Sequence, residues 1–191
     1  VINVAIFASG AGSNAENIIR HFSTPGKNVG IALIVCNKPG AGVLKIAERY
    51  KIPTLLIEKG KFFQDGYLQE LRKFNIQFIV LAGFLWKLPP DLIDNYPRRI
   101  INIHPALLPK YGGKGMYGER VHRAVIDNKD KESGITIHYV DAYYDHGDII
   151  LQVKCPVLET DTPVTLAQRI HLLEHENYPR VVEELSRRLF K

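Results

Sequence analysis

Residues 2–14 read Ile2-Asn3-Val4-Ala5-Ile6-Phe7-Ala8-Ser9-Gly10-Ala11-Gly12-Ser13-Asn14. Ile2 to Ala8 is almost continuously apolar and carries β-branched side chains, which predicts a strand buried on both faces. Strands of that kind belong to parallel sheets covered by helices on either side. Ser9 to Gly12 interrupts the run, and apolar residues then recur at helical spacing at Ala15, Ile18, Ile19 and Phe22.

The same alternation continues outward. Strands are predicted at Gly30–Cys36, Pro53–Ile57, Phe78–Ala82 and Arg99–Ile103, with helices at Asn14–Phe22 and Val43–Tyr50. Phe63, Tyr67, Leu68, Leu71 and Phe74 outline one further amphipathic helix, and Pro89-Pro90-Asp91 marks a helix start. His104 to Arg120 is a polar, glycine-rich stretch of about 17 residues, a length at which loops are usually functional. A helix at Val121–Asn128 follows, then two closely spaced strands, Gly134–Val140 and Asp148–Val153. The helical region from Thr162 is expected to break near Pro179. The fold class is α/β: a Rossmann-like, mostly parallel twisted sheet with helices on both faces and an antiparallel addition at its edge. There is no repeat or linker, so one domain is expected.

The chain has 191 residues, 46% apolar and 24% charged, which excludes disorder, collagen and coiled coil as whole-chain descriptions. Lys plus Arg number 25 against 20 Asp plus Glu. That balance favours anionic partners and leaves phosphorylated metabolites, polyanionic cofactors and nucleic acid open. Cys36 and Cys155 are far apart in apolar runs, with no C-x-x-C pattern, so they read as buried thiols in a reducing compartment rather than zinc ligands. No signal peptide is visible, and no apolar run approaches the roughly 20 residues that span a membrane; a cytoplasmic location is expected.

Three stretches could carry chemistry. The Ser9–Asn14 loop links a buried strand to a helix, the context in which glycines, free N–H groups and a helix dipole cradle a phosphate. A tight turn with Ser13 or Asn14 capping the helix is the competing reading, and the strand-to-helix context favours the phosphate. The loop also fits a dinucleotide fingerprint, but no acid follows the second strand; Lys38 there suits a 2′-phosphate, keeping NADP open. In Asn102-Ile103-His104, Asn102 and His104 project to one side of a strand, along with Ile100, and together could stabilise an oxyanion. A polar strand end satisfied by backbone groups is the competing reading. Asp145-His146-Gly147-Asp148 has the composition of a hairpin turn, yet Asp145 could pair with His104, raise its pKa and orient its ring. His138 reads as a satisfied core histidine, and His122, Arg123, Glu174 and His175 as helix surface. Leu81, Phe84, Leu85 and Trp86 read as core, or as the wall of a ligand slot.

Taken together, Ser9-Gly10-Ala11-Gly12-Ser13-Asn14, Leu81-Ala82-Gly83-Phe84, Asn102-Ile103-His104-Pro105-Ala106-Leu107-Leu108-Pro109, Asp145-His146-Gly147 and Glu174-His175 resemble the folate-dependent formyltransferase family, in its phosphoribosylglycinamide-specific branch, over essentially the whole chain. The resemblance implies formyl transfer from 10-formyltetrahydrofolate to the glycyl amine of glycinamide ribonucleotide, in purine biosynthesis, with no metal, no nucleic acid and no membrane. It implies a single domain 1–191, with residues 1–100 as the ribonucleotide half and 101–191 as the catalytic and folate half. It assigns Asn102, His104 and Asp145 to catalysis, and Gly12, Ser13, Asn14 and Glu174 to the ribonucleotide. Leu81, Phe84, Lys87, Leu88, Ile100 and Val140 are assigned to the folate. Tyr111 to Arg120 is longer and more glycine-rich than in many members and reads as a lid. Rival expectations are another folate-dependent formyltransferase, formyltetrahydrofolate hydrolase, or an NADP-binding module. The hydrolase and the tRNA-modifying relative would carry extra domains, for which 191 residues leave no room.

Overall fold

The apolar opening run is strand β1 (Ile2–Ala8), in which Val4, Ala5, Ile6 and Ala8 have no solvent exposure. A computed structural model describes residues 1–189 of the chain. After β1 come α1 (Ser13–Phe22), β2 (Val29–Cys36), α2 (Gly42–Arg49), β3 (Thr54–Leu56), α3 (Lys59–Asp65), α4 (Leu68–Lys73), β4 (Phe78–Leu81) and α5 (Pro90–Asn95). The second half holds β5 (Ile100–His104), α6 (Glu119–Asp127), β6 (Glu132–Tyr139), β7 (Ile149–Pro156) and α7 (Pro163–Leu189).

The strands form one seven-stranded sheet in the order β3-β2-β1-β4-β5-β6-β7. The β3-to-β5 portion is parallel, and β6 and β7 are added antiparallel, as the sequence suggests. Period-two alternation divides the core. Val4, Ile6, Ile101 and Ile103 face α1, α2, α6 and α7, whereas Ala5, Phe7, Ile79 and Ile100 face α3, α4 and α5. Burying a side chain such as Phe7 contributes about 1.5–3 kcal/mol, so the continuous apolar strands set the sheet's interior. From β1 the chain runs one way to β2 and β3, then crosses to β4 on the other side. The reversal opens a crevice at the carboxyl ends of β1 and β4, the usual ligand position in such sheets.

Two elements differ from the sequence reading. The single helix expected around Phe63–Phe74 is split into α3 and α4, because Gly66 and Tyr67 both adopt left-handed backbone, with φ of 61° and 55°. The Asp65 side chain accepts the Tyr67 N–H at 2.8 Å and stabilises the break. Conversely, α7 continues through Pro179. Proline removes the N–H that would bond the carbonyl four residues back, His175. That carbonyl instead accepts the Asn17 side-chain amide at 2.6 Å, so an α1 residue repairs the gap and the helix persists.

Helix α7 is also pinned to the sheet. Tyr178 is fully buried, and its hydroxyl contacts the carbonyls of Leu81 at 2.8 Å and Ile101 at 3.3 Å, at β4 and β5.

Candidate active site

Strand β5 ends at His104, 3% exposed, with Asn102 two residues earlier on the same face. Antiparallel pairing sets Asn102 opposite His138 and His104 opposite Thr136. The connection from β6 to β7 then folds back and delivers Asp145. Its neck is narrow: a side chain at Gly147 would collide with the Tyr139 carbonyl. Asp145 has φ +53°, a sparsely populated conformation for an L-residue that is tolerated by Asp and often found at functional sites.

The groups meet closely. Asp145 Oδ2 is 3.5 Å from His104 Nδ1 and accepts the Gly113 N–H at 2.9 Å. The Asn102 amide nitrogen donates to Asp145 Oδ1 at 3.4 Å and lies 3.2 Å from His138 Nε2. His138 Nδ1 donates to the Tyr139 carbonyl at 2.8 Å, and its Nε2 faces both the Asn102 amide and, at 3.6 Å, Asp145 Oδ1. His104 Nε2 donates to the Tyr111 carbonyl at 2.7 Å. The expected pairing of Asp145 with His104 is therefore present.

Burial pushes the His104 imidazole below its ordinary pKa; Asp145 acts upward, as expected, and so does the Tyr111 carbonyl, but burial outweighs both. For Asp145 burial acts upward, and His138, His104 and the Gly113 N–H outweigh it, holding the carboxyl below the usual range. Burial thus favours the neutral imidazole of His104 beside the Asp145 carboxylate.

The loop between β1 and α1 lies at the sheet's reversal point. Ser9 ties it to the end of β4: its N–H bonds the Gly83 carbonyl at 3.1 Å, and its hydroxyl accepts the Leu85 N–H at 3.0 Å. Gly12 is the N-cap of α1, with φ +86° and no side-chain cap. A Cβ there would sit 2.8 Å from the Val43 Cβ, so both backbone conformation and the approach of α2 require glycine. Ser13 is exposed, and Asn14 turns away from any capping role to donate to Glu174 Oε2 at 2.9 Å. The first-turn N–H groups of α1 have no helical acceptor and are left for a ligand. Glu174 is 4% exposed rather than a solvated surface residue, and also accepts from His171 Nδ1 at 2.8 Å.

The apolar candidates gather on the opposite side of the sheet ends. Leu81, Leu88 and Ile100 are buried in the α3–α5 core, and Phe84, Trp86 and Val140 pack against it partly exposed. The Val140 N–H bonds the Ile100 carbonyl at 3.0 Å, bringing the hairpin loop beside this apolar cluster. Lys87 is exposed, its ammonium 5.7 Å from the Tyr143 ring centroid. Ile100 has 1% exposure and supports the cluster from beneath.

Sequence reading underrated His138 and placed Tyr111 and Gly113 only in a lid loop, not beside the catalytic candidates. His138 owes its place to its register opposite Asn102, which only strand pairing reveals; the other two act through backbone atoms, which leave no side-chain signature. A cavity of about 410 Å³ lined by Leu107, Lys110, Tyr111, Val125, Asp130 and Ser133 contains none of the candidate catalytic side chains. Among the described residues no group of three or more His, Cys, Asp or Glu is placed to hold a metal, and no helix is long and apolar enough to cross a membrane.

The sequence pattern described as formyl transferase matches residues 2–182. The phosphoribosylglycinamide formyltransferase of Bacillus subtilis (strain 168) is 39% identical over 186 residues, covering 95% of this chain and 93% of the relative. The chloroplastic phosphoribosylglycinamide formyltransferase of Arabidopsis thaliana is 42% identical over 185 residues, covering 94% of this chain. This chain spans 63% of that relative's length and 60% of its counterpart from Vigna unguiculata. A crystal structure of phosphoribosylglycinamide formyltransferase from Anaplasma phagocytophilum superposes with a TM-score of 0.89 at 34% identity, over 97% of this chain and 87% of that one.

Proposed function

The chain belongs to the formyl transferase family, and from that membership we propose that it transfers a formyl group from 10-formyltetrahydrofolate to the glycyl amine of 5′-phosphoribosylglycinamide, as a single formyltransferase domain. The observation that carries the reading is Asp145, within 3.5 Å of both Asn102 and His104 at the carboxyl end of β5. The Bacillus subtilis relative, of near-equal length and named for that activity, supports the choice of substrates.

The residues present fit both substrates. The free N–H groups around Gly12, Ser13 and Asn14 suit a phosphate, and buried Glu174 suits ribose hydroxyls. Glu174 comes from α7, so the later half of the chain contributes to the ribonucleotide end as well. Phe84, Leu88 and Val140, supported by Leu81 and Ile100, form an apolar slot for a planar pterin. Lys87 stands exposed beside it, where a folate's carboxylates would meet a cation.

The folate supplies the formyl carbon. Attack by an amine places negative charge on the formyl oxygen and leaves the amine with a proton to lose. Asn102 can donate its amide N–H to that oxygen, since its bond to Asp145 is long at 3.4 Å and readily exchanged. His104, neutral at rest, can take the amine's proton; the resulting imidazolium is stabilised by Asp145 and can return the proton to the departing nitrogen. Proton and charge therefore balance within Asn102, His104 and Asp145. Holding both substrates in one crevice supplies the rest of the acceleration.

The test is an assay of purified protein with both substrates, following formyl-glycinamide ribonucleotide and free tetrahydrofolate together. Matched formation of the two is expected. Release of formate without transfer would replace this reading with hydrolysis of the donor.

A further inference from the structure

A backbone carbonyl can only accept a hydrogen bond. Because His104 Nε2 lies 2.7 Å from the Tyr111 carbonyl, Nε2 carries a hydrogen in both charge states of the ring. Nδ1, 3.5 Å from Asp145 Oδ2, is then the nitrogen at which a proton comes and goes. The tautomer is dictated by Tyr111, which itself occupies left-handed backbone with φ +56°. A bulky residue holds that conformation only where its surroundings enforce it.

The enforcement is visible at the far end of the side chain. The Tyr111 hydroxyl donates to Asp130 Oδ2 at 2.9 Å and accepts from the Asn128 side-chain amide at 2.9 Å. The Lys110 ammonium reaches the same Asp130 oxygen at 3.3 Å. Two residues on, the Gly113 N–H bonds Asp145 Oδ2. One short segment thus fixes His104 and Asp145 through its main chain, and is itself fixed from the α6–β6 junction.

We propose that Tyr111 is a positioning residue: anchored through its hydroxyl by Asp130 and Asn128, it fixes His104 as the Nε2–H tautomer and reserves Nδ1 for the reacting proton. This rests on the formyl-transfer reading for its kinetic consequences, while the tautomer itself does not. The charged and titratable groups around His104 are Asp145 from the hairpin, His138 from β6, Glu174 from α7 and His122 from α6. Of these, Asp145 is tied to the Tyr111 segment through the Gly113 N–H and shares in any loosening of it; the other three make no hydrogen bond to that segment.

Tyr111→Phe keeps the ring and removes both anchoring bonds. With both anchoring bonds lost, kcat should fall on the order of tenfold, with both KM values nearly unchanged. The acid limb of the kcat–pH profile should move to lower pH, because the carbonyl favours the imidazolium. Asp130→Ala should reproduce this behaviour, and Asp130→Asn, which keeps an acceptor, should restore it. Nitrogen-15 NMR of histidine-labelled protein supplies a readout independent of activity. The neutral His104 of the wild type should show the Nε2–H tautomer, and Tyr111→Phe a mixture of the two. An Nδ1–H tautomer in the wild type would overturn the proposal. So would a variant with lowered thermal stability but an unchanged tautomer and pH profile, which is the pattern of a merely structural tyrosine. Absence of formyl transfer in the wild type, with the tautomer as stated, would remove the functional reading and leave the positioning intact.

Discussion

Asp145 combines a strained backbone with four polar neighbours, Asn102, His104, His138 and Gly113. Asp145→Asn keeps the shape and removes the charge that would stabilise an imidazolium. It should lower kcat by on the order of 100-fold or more while the thermal midpoint stays within a few degrees; a drop in stability with kcat intact would reassign Asp145 to the fold. The phosphate loop needs a different substitution from the obvious one. Gly12 cannot be enlarged without striking Val43, so it reports on packing rather than ligand. Gly10 has open space around its Cβ position and no left-handed φ. Gly10→Ala should preserve stability and raise the ribonucleotide KM with little change for the folate; equal changes in both would argue against a phosphate there. Strand alternation puts Asn102 and His104 on one face, but a polar strand end and a hairpin turn account for the same residues, and it is the resemblance to the formyltransferase family that joins Asp145 to them. His138 was not legible, since a lone histidine in an apolar strand has the same local pattern whether it serves a site or only the core.

At the level of elements, strands read well and helices less so. Continuous apolar runs that are short, β-branched and closed by Gly or Pro specify a buried strand, whereas α3 and α4 differ from one long helix only in the conformation of Gly66 and Tyr67. Helix α7 misled because the compensation for Pro179 lies on α1. This can be tested as a double-mutant cycle. Asn17→Ala leaves the His175 carbonyl unpaired and should cost about 1–3 kcal/mol. In a Pro179→Ala background the helix bonds that carbonyl itself, and Asn17→Ala should cost far less; equal costs would sever the link. The other end of the same helix pair is clasped electrostatically. Glu183 accepts from Lys27 at 2.7 Å and His21 at 2.8 Å, which hold its carboxyl down to about 2. A depressed carboxyl stabilises the fold above its unfolded value and loses that contribution as pH falls toward 2. Glu183→Gln should therefore flatten the stability curve between about pH 4.5 and 2, measured by urea unfolding; an unchanged slope would show the clasp to be inert.

Across the whole molecule, the ribonucleotide and folate candidates flank one crevice because the sheet reverses direction between β1 and β4, a consequence the alternating strands announce. The interior is also rich in imidazole. Burial lowers the pKa of His104, His122 and His175. In each case the unfolded chain binds a proton at about pH 6.5 that the folded chain refuses, so stability falls as pH drops below that value. His171, raised by its bond to Glu174, has the opposite sign and offsets part of this. The thermal midpoint should decline from pH 6.5 to 5, a window in which Glu183 and Asp161 remain ionised, and His122→Gln should shallow that decline. A midpoint flat over this range would mean the imidazoles are protonated in place.

The contact between Asn14 and Glu174 joins residues 160 apart in the chain, and that between His21 and Glu183 joins residues 162 apart. Such closures are among the slowest to form, because chain entropy must be spent before any contact returns it. The crevice can be sculpted early by β1, β4 and β5, yet its ribonucleotide end is incomplete until α7 docks and Tyr178 is covered. Regain of activity during refolding should accordingly trail the recovery of sheet structure and keep step with burial of that tyrosine. Any chaperone or protease competing for the half-folded chain would meet a formed sheet and an empty place where the last helix belongs.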